Sequence, residues 1–437
     1  MNFARNFRSL LSATIVTSVL GLALSIGLAR WLSGTERGVY AVVMTMSIFV
    51  EFAAQLGQRA ALIYRTGRVG IARDVALGAS LKLTLAALGL TLAVCLASSS
   101  ALRERVLAGS GMEILVIALA LGAVEAIAGL FEALARAIDR FELRNRALIA
   151  TALLSLAGVA FALLALHGGA LAALVAVLVA RALVALWLIA ASLRETGLSL
   201  RSDPGELAAS LRFGFPSYLQ TLIGKLHERA DVILLALLHV EPAQIAVYAV
   251  AVGVIDRLRV MPDAVGSALL PKLTVLPHGE AGAYTSRVVR NTVFWVCVSA
   301  LGLGLVAPFL LPVVFGRAYA ASLLPLLILL PATVSLTVRR VLSNYFTASG
   351  WPGFNASVQA AAALLNVAVN LWAIPRYGIA GAAFASLISY GFEGVATVVG
   401  FRSESGERVR DTILPKRAEL AEQIGRARRR LTELISR

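Results

Sequence analysis

Long apolar runs separated by short polar stretches dominate this sequence. A helix crossing a bilayer needs about 20 mainly apolar residues. Twelve segments meet that requirement: residues 9–32, 38–63, 75–98, 112–135, 147–167, 169–193, 211–238, 244–270, 288–315, 320–347, 354–375 and 379–401. The runs are long, rich in Leu and Ala and without a period of two, which predicts helices rather than barrel strands. Only His167-Gly168-Gly169 divides the fifth segment from the sixth. The first follows Arg5 and Arg8, is too long for a signal-peptide core, and has no clear small-residue cleavage site after it, so it reads as a retained span. Loops of no more than about 20 residues leave no room for a soluble catalytic or nucleotide-binding domain. No G-x-x-x-x-G-K-[ST] phosphate loop occurs either. The expectation is an all-α polytopic membrane protein of about twelve transmembrane helices.

Composition supports that picture. Apolar residues make up 59% of the chain, against about 45–50% in a soluble domain, and the mean hydropathy is +0.81. Charged residues are 15%, and the net charge is +15. With the N-terminus inside, the inside loops hold Arg65, Arg68, Arg73, Arg136, Arg140, Arg144, Arg146, Arg194, Arg201, Arg212, Lys272, Arg287 and Arg290. The outside loops hold only Arg30, Arg37, Arg103, Arg105, Arg317 and Arg376. That asymmetry predicts cytoplasmic termini, and the basic excess needs no nucleic-acid partner. No basic, aromatic-studded module or zinc-finger spacing is present. Cys95 and Cys297 lie in apolar runs without C-x-x-C neighbours and read as small buried hydrophobes, not metal ligands. From about Ser403 to Arg437 the chain is charged. There Leu420, Ile424, Ala427, Leu431 and Leu434 share helical spacing beneath Arg426, Arg428, Arg429 and Arg430. Such a tail suits an anionic membrane surface or a solvated helix.

Two short stretches point to an internal repeat. Gly38-Val39-Tyr40-Ala41-Val42 opens the second segment, and Ala246-Val247-Tyr248-Ala249-Val250 opens the eighth, each after a short polar outside loop. Six spans per half give the halves the same orientation. The expected organisation is a lobe over 1–205, a second over 206–402 related by a parallel pseudo-two-fold axis, and a cytoplasmic tail over 403–437. Transporters use such repeats to place a site near the midplane.

Several motifs, in order, are similar to a known family. They are Ala29-Arg30-Trp31-Leu32 before Gly38-Val39-Tyr40, Phe213-Gly214-Phe215-Pro216, Arg229-Ala230-Asp231 and Val247-Tyr248-Ala249. Leu270-Pro271, Val314-Phe315-Gly316, Ala348-Ser349-Gly350 and Ile374-Pro375-Arg376-Tyr377-Gly378-Ile379-Ala380-Gly381-Ala382-Ala383 continue the series. Over nearly all of 1–402 the chain resembles the polysaccharide or O-antigen flippases of the multidrug/oligosaccharidyl-lipid/polysaccharide exporter superfamily. The resemblance implies two six-helix lobes, a central cavity and alternating access in a bacterial inner membrane. It implies a lipid-linked, polyprenyl-pyrophosphate oligosaccharide as substrate, with surrounding membrane lipid. It implies no cofactor and a protein that works as a monomer.

Ionisable side chains inside apolar helices cost about 2.5–3.5 kcal/mol each on insertion scales and need a reason. Segment seven holds Lys225, Glu228, Arg229 and Asp231; segment eight holds Asp256, Arg257, Arg259 and Asp263; segment ten holds Arg339 and Arg340. Glu51, Arg59, Lys82, Glu125, Glu132 and Arg181 lie in the first half, and Glu393 in the last segment. At 1.5 Å per residue, Lys225 and Arg257 fall near the midplane. An anionic pyrophosphate and acidic sugars would suit a cationic cavity, to which Arg brings a bidentate fork and Lys a point charge. The substrate-contact candidates are therefore Lys225, Arg229 and Arg257, then Arg59, Arg181, Arg259 and Arg339. Asp231 and Asp256 are candidates for a coupling proton or sodium ion. Mutual neutralisation, as in Lys225–Glu228 and Asp256–Arg259 at i, i+3, explains the same residues without a ligand. Gly378, Gly381 and Ala385 suit close helix packing; Pro262, Pro325 and Pro331 can kink segments eight and ten, with packing the first role for all of these residues and a gating bend the alternative. Two other functions compete: a multidrug exporter of the same superfamily, disfavoured by the net basic charge of segments seven, eight and ten, and a membrane glycosyltransferase or polymerase. The outside loops are short and poor in acids, which argues against the enzyme.

Overall fold

In a computed structural model, which describes residues 3–199, 204–273 and 276–414, the chain is helical along almost its whole length. The helices are α1 (Phe3–Trp31), α2 (Gly34–Gln55), α3 (Gln58–Tyr64), α4 (Arg73–Ala97), α5 (Ser99–Arg105), α6 (Met112–Ala137), α7 (Phe141–Ala160) and α8 (Ala170–Thr196). They continue as α9 (Pro204–Leu237), α10 (Pro242–Leu258), α11 (Val260–Leu273), α12 (His278–Phe315), α13 (Leu323–Ala348), α14 (Pro352–Ser405) and α15 (Val409–Ile413). Among the described residues nine helical stretches are long and apolar enough to cross a membrane. The expected segments all fall on helix. The ninth stretch, the 54 residues of α14, is broken at Gly378 and carries segments eleven and twelve. Segment seven lies in α9, and segment eight is split between α10 and α11. The amphipathic stretch expected over Leu420–Leu434 lies outside the described residues.

Local chemistry explains the breaks. Ser33 starts α2 with a reciprocal cap: its hydroxyl accepts from the Glu36 N–H, and the Glu36 carboxylate accepts from the Ser33 N–H. Segment two is two helices, because Leu56 and Gly57 both adopt left-handed backbone, at φ 42° and 74°. Gly57 is also pressed against α9, where a Cβ would stand 1.9 Å from the carbonyl oxygen of Gly214. At Gly378, φ 55° and ψ −131° turn the chain between the two arms of α14, a conformation that suits glycine. Pro262 and Pro325 occupy the first turns of α11 and α13. A missing N–H costs nothing there, so both start helices rather than bend them. Pro331 does sit inside α13. The fifth segment ends in a π-helical turn, Phe161–Ala165, before left-handed His167.

The chain packs as two compact units. The first holds residues up to Gly253 together with Pro308–Pro325 and Val367–Ala383; the second holds Val254–Ala307, Leu326–Asn366 and the residues from Phe384 on. In the first, α2 runs along α6, α1 along α7, and α8 against α6 and α7. Leu62, Leu77, Leu130, Leu134 and Leu188 fill its core. Tyr40 and Tyr248 of the repeated stretch occupy matching positions, the seventh residues of α2 and α10, and both are buried. In the second unit Leu269, Val289, Val341, Phe346 and Phe401 join α11, α12, α13 and α14.

The outward faces are apolar too. On α12, Val298, Leu301, Leu305 and Phe309 share a face and are exposed, Leu305 by 78%. A patch of this kind marks a surface that meets lipid rather than water. Because lipid is as apolar as leucine, packing between these helices rests on close contact and internal polar bonds. Cys95 and Cys297, expected to be buried, are half-buried free thiols.

Candidate functional site: ionic side chains within the helices

In the first unit four charges of the first six segments, Glu51, Arg59, Glu125 and Arg181, form a connected network. The guanidinium of Arg59, on α3, donates to Glu51 Oε1 at 2.7 Å and to the backbone carbonyl of Glu125 at 3.1 Å. Gln55 donates to the same Glu51 oxygen at 3.0 Å. Arg181 of α8 meets the Glu125 carboxylate at 2.6 Å. Two turns further towards the Arg136 end of α6, Glu132 pairs with Arg144 at 3.7 Å. Arg59 reaches α6 only because residue 129 is glycine: a Cβ there would stand 1.5 Å from its Nη2. Glu125, Glu132 and Arg181 border a cavity of about 320 Å³, which Thr17, Thr151 and Ser155 also line. Arg59 and Arg181, both expected as substrate contacts, are thus joined through Glu125.

Lys225, Glu228, Arg229 and Asp231 stand on α9 in the same unit. Lys225 Nζ lies 3.5 Å from Glu228 Oε2 and 5.9 Å from the centre of the Phe52 ring. Arg229 is half-buried one turn further on. Asp231 is buried; it accepts from the Val232 N–H at 2.9 Å and from the Tyr248 hydroxyl. Tyr248 belongs to the repeated stretch, so one copy of that motif holds a buried acid.

The remaining candidates belong to the second unit. Arg257 is half-buried at the end of α10. Arg259, at the break before α11, is buried, pairs with Asp256 at 3.1 Å and lies over the Tyr390 ring at 5.6 Å. Arg339 of α13 pairs with Glu393 at 3.1 Å, and that carboxylate is only 1% exposed. Tyr390 and Glu393 are one turn apart on α14, so Arg259 and Arg339 converge there. Arg340 pairs with Asp263. The i, i+3 pairs are legible from spacing alone. Glu125–Arg181 and Arg339–Glu393 join distant segments; the sequence marks each as an intramembrane charge without naming its partner.

Among the described residues the chain is a bundle of long apolar helices with ionic side chains inside them, and comparison with known proteins gives the family. The chain matches the family model described as "Polysaccharide biosynthesis protein" over residues 27–324, and it belongs to that family. Among curated proteins none matches the sequence. The fold is similar to an inward-closed structure of Lipid II flippase MurJ, with a TM-score of 0.72 and 14% identity over 91% of this chain and 90% of that one. It is also similar to an inward-facing multidrug resistance MATE family transporter of the MOP superfamily, with a TM-score of 0.71 and 17% identity over 91% and 97%. A MOP superfamily transporter from Pyrococcus furiosus, described by the reverse polarity of its binding pocket, aligns with a TM-score of 0.58 and 16% identity over 92% and 95%. At these identities the likeness concerns the fold. The chain is a multi-pass membrane protein of a transporter fold.

Proposed function

We propose that this protein flips a lipid-linked oligosaccharide, carried on polyprenyl pyrophosphate, across the bacterial inner membrane by alternating access. The observation that carries the proposal is membership of the polysaccharide biosynthesis family by a chain whose helices hold this many basic groups. Its fold likeness to Lipid II flippase MurJ, a protein named for a lipid-linked substrate, supports the same reading. Residues 1–205 and 206–402 act as the two lobes, with both termini in the cytoplasm. Lys225, Arg229 and Arg257 hold the anionic pyrophosphate, and Arg59, Arg181, Arg259 and Arg339 extend the cationic lining from their ion pairs. A coupling proton or sodium ion, where one is used, binds at Asp231 or Asp256. The protein transports without making or breaking covalent bonds.

The likeness to MATE family transporters favours a second reading, export of drugs. One experiment separates them. Purified protein in proteoliposomes is offered a fluorescent polyprenyl-pyrophosphate oligosaccharide in one arm and a cationic dye in the other. Protein-dependent movement of the lipid-linked sugar alone supports the flippase; movement of the dye alone replaces it with the exporter.

A further inference from the structure

The helix α3 is seven residues long, broken from α2 at one end and running directly into a π-helical turn at the other. The left-handed pair Leu56–Gly57 precedes it and a π-helical turn, Arg65–Val69, follows it. Every turn of this short piece is tied to something. One side carries Arg59, bound to Glu51 and to the Glu125 carbonyl. The other side meets the first half of α9. Ser210 donates to Gln58 Oε1 at 2.7 Å, with both residues fully buried. Tyr64 stacks on Phe213, with ring centres 3.9 Å apart and planes 9° from parallel. Arg65 pairs with Glu206, and Gly57 and Gly214 bring the two backbones into contact.

This seam differs in kind from the core beside it. Leu77, Leu130 and Leu188 hold the neighbouring helices by apolar contact. The seam uses one buried amide–hydroxyl bond, one ion pair and one ring stack. Such bonds are directional, so a shift of the helix breaks them as a set rather than letting them slide. Just beyond the seam stands Pro216, inside α9. Proline offers no N–H to the carbonyl four residues earlier, which allows a bend at that point. Residues 204–215 are thus a lever between a proline hinge and a polar catch.

We infer that α3, with the π-helical turn that follows it, is a latch: it grips the first half of α9 through Gln58, Tyr64 and Arg65, and transport requires that grip to open. Arg59 anchors the latch to the ionic network, so a change in that network is transmitted to the helix that bears Lys225 and Arg229. The inference rests on the transport reading for its role and on the geometry of the seam for its existence.

The test places Gln58→Cys with Ser210→Cys in a Cys95→Ser, Cys297→Ser background and bridges the pair with a short bis-methanethiosulfonate. Flipping of the fluorescent lipid-linked oligosaccharide should fall at least tenfold on bridging and return on reduction. Full transport by the bridged protein overturns the latch. A second arm needs no substrate. In hydrogen–deuterium exchange, Gln58→Ala with Ser210→Ala should exchange about tenfold faster over 204–215, with α6 unchanged. Unchanged exchange over 204–215 in the folded variant overturns the latch. Should that variant not fold, Arg65→Glu should raise exchange there and added Glu206→Arg should restore it; no change in either overturns the latch as well. If the unbridged parent moves no lipid-linked sugar, the flippase reading fails and the exchange arm alone decides the latch.

Discussion

Gly129→Ala should destabilise this protein, although the same change in an ordinary helix stabilises it. Alanine exceeds glycine in helix propensity by about 1 kcal/mol. At residue 129 the added methyl would stand 1.5 Å from Arg59 Nη2 and 1.9 Å from Cζ. The end of a long side chain can swing away, so the methyl fits only by moving the guanidinium. Arg59 then loses both Glu51 and the Glu125 carbonyl. Breaking a buried ion pair costs about 3–5 kcal/mol. The two side chains retain 27% and 13% exposure, so the low end, about 3 kcal/mol, applies. Subtracting the propensity gain leaves a net loss of about 2 kcal/mol, or about 30-fold in the folding equilibrium. Equilibrium unfolding in mixed micelles measures it. A double-mutant cycle sharpens the result, because Gly129→Ala should stabilise by about 1 kcal/mol once Arg59→Ala has already removed the guanidinium. In the otherwise unchanged chain, Gly129→Ala that stabilises by about 1 kcal/mol, or that adds fully to Arg59→Ala, would refute the placement of Arg59 over α6.

Other expectations follow from the remaining ion pairs and from the proposed site. Arg229→Ala and Arg257→Ala should each abolish glycan export at normal membrane abundance, and Arg257→Lys should recover it only in part, since a point charge does not replace a bidentate fork; complementation with immunoblotting reads both. If Lys225 serves mainly to neutralise Glu228, 3.5 Å away, Lys225→Ala should lower abundance and added Glu228→Ala should restore it, as quantitative immunoblotting will tell. Arg339→Ala should reduce abundance several-fold by stranding the buried Glu393 carboxylate, and added Glu393→Gln should recover most of it. Reporter fusions at Gly70, Asn145 and Gly279 should report cytoplasm, and those at Ser110 and Glu241 periplasm; the reverse pattern overturns the orientation.

The helices were legible because a bilayer demands long apolar segments and the chain supplies them with little ambiguity. Their interruptions were not. At the break at Leu56–Gly57 the backbone of Gly214, far along the chain, lies so close that a Cβ on residue 57 would clash with it, and no local pattern announces a distant backbone. Segment eight divides at Arg259, where the side chain turns to Asp256 and Tyr390. Pro262 does interrupt segment eight, since it has no N–H for the carbonyl of Leu258, where α10 ends. Apolar runs do not reveal that Pro262 and Pro325 act by standing in the first turn of a new helix. The charged residues were all visible as anomalies, since each is costly in lipid. Spacing identified partners only within one helix, as for Lys225 with Glu228. Glu125 is not legible as a site residue, because its place depends on Arg59 and Arg181 arriving from α3 and α8. The short α3 was invisible as an element, being seven residues within an unbroken apolar segment.

The central claim, that the transported molecule is an anionic lipid-linked sugar, is tested most directly by flipping in proteoliposomes. Purified protein should carry a fluorescent polyprenyl-pyrophosphate oligosaccharide to the opposite leaflet, measured by its loss of quenching by a membrane-impermeant reductant. The Arg229→Ala, Arg257→Ala double variant should reduce the rate to that of protein-free vesicles while reconstituting normally. A wild-type rate no faster than empty vesicles, beside rapid movement of a cationic dye, would contradict the account.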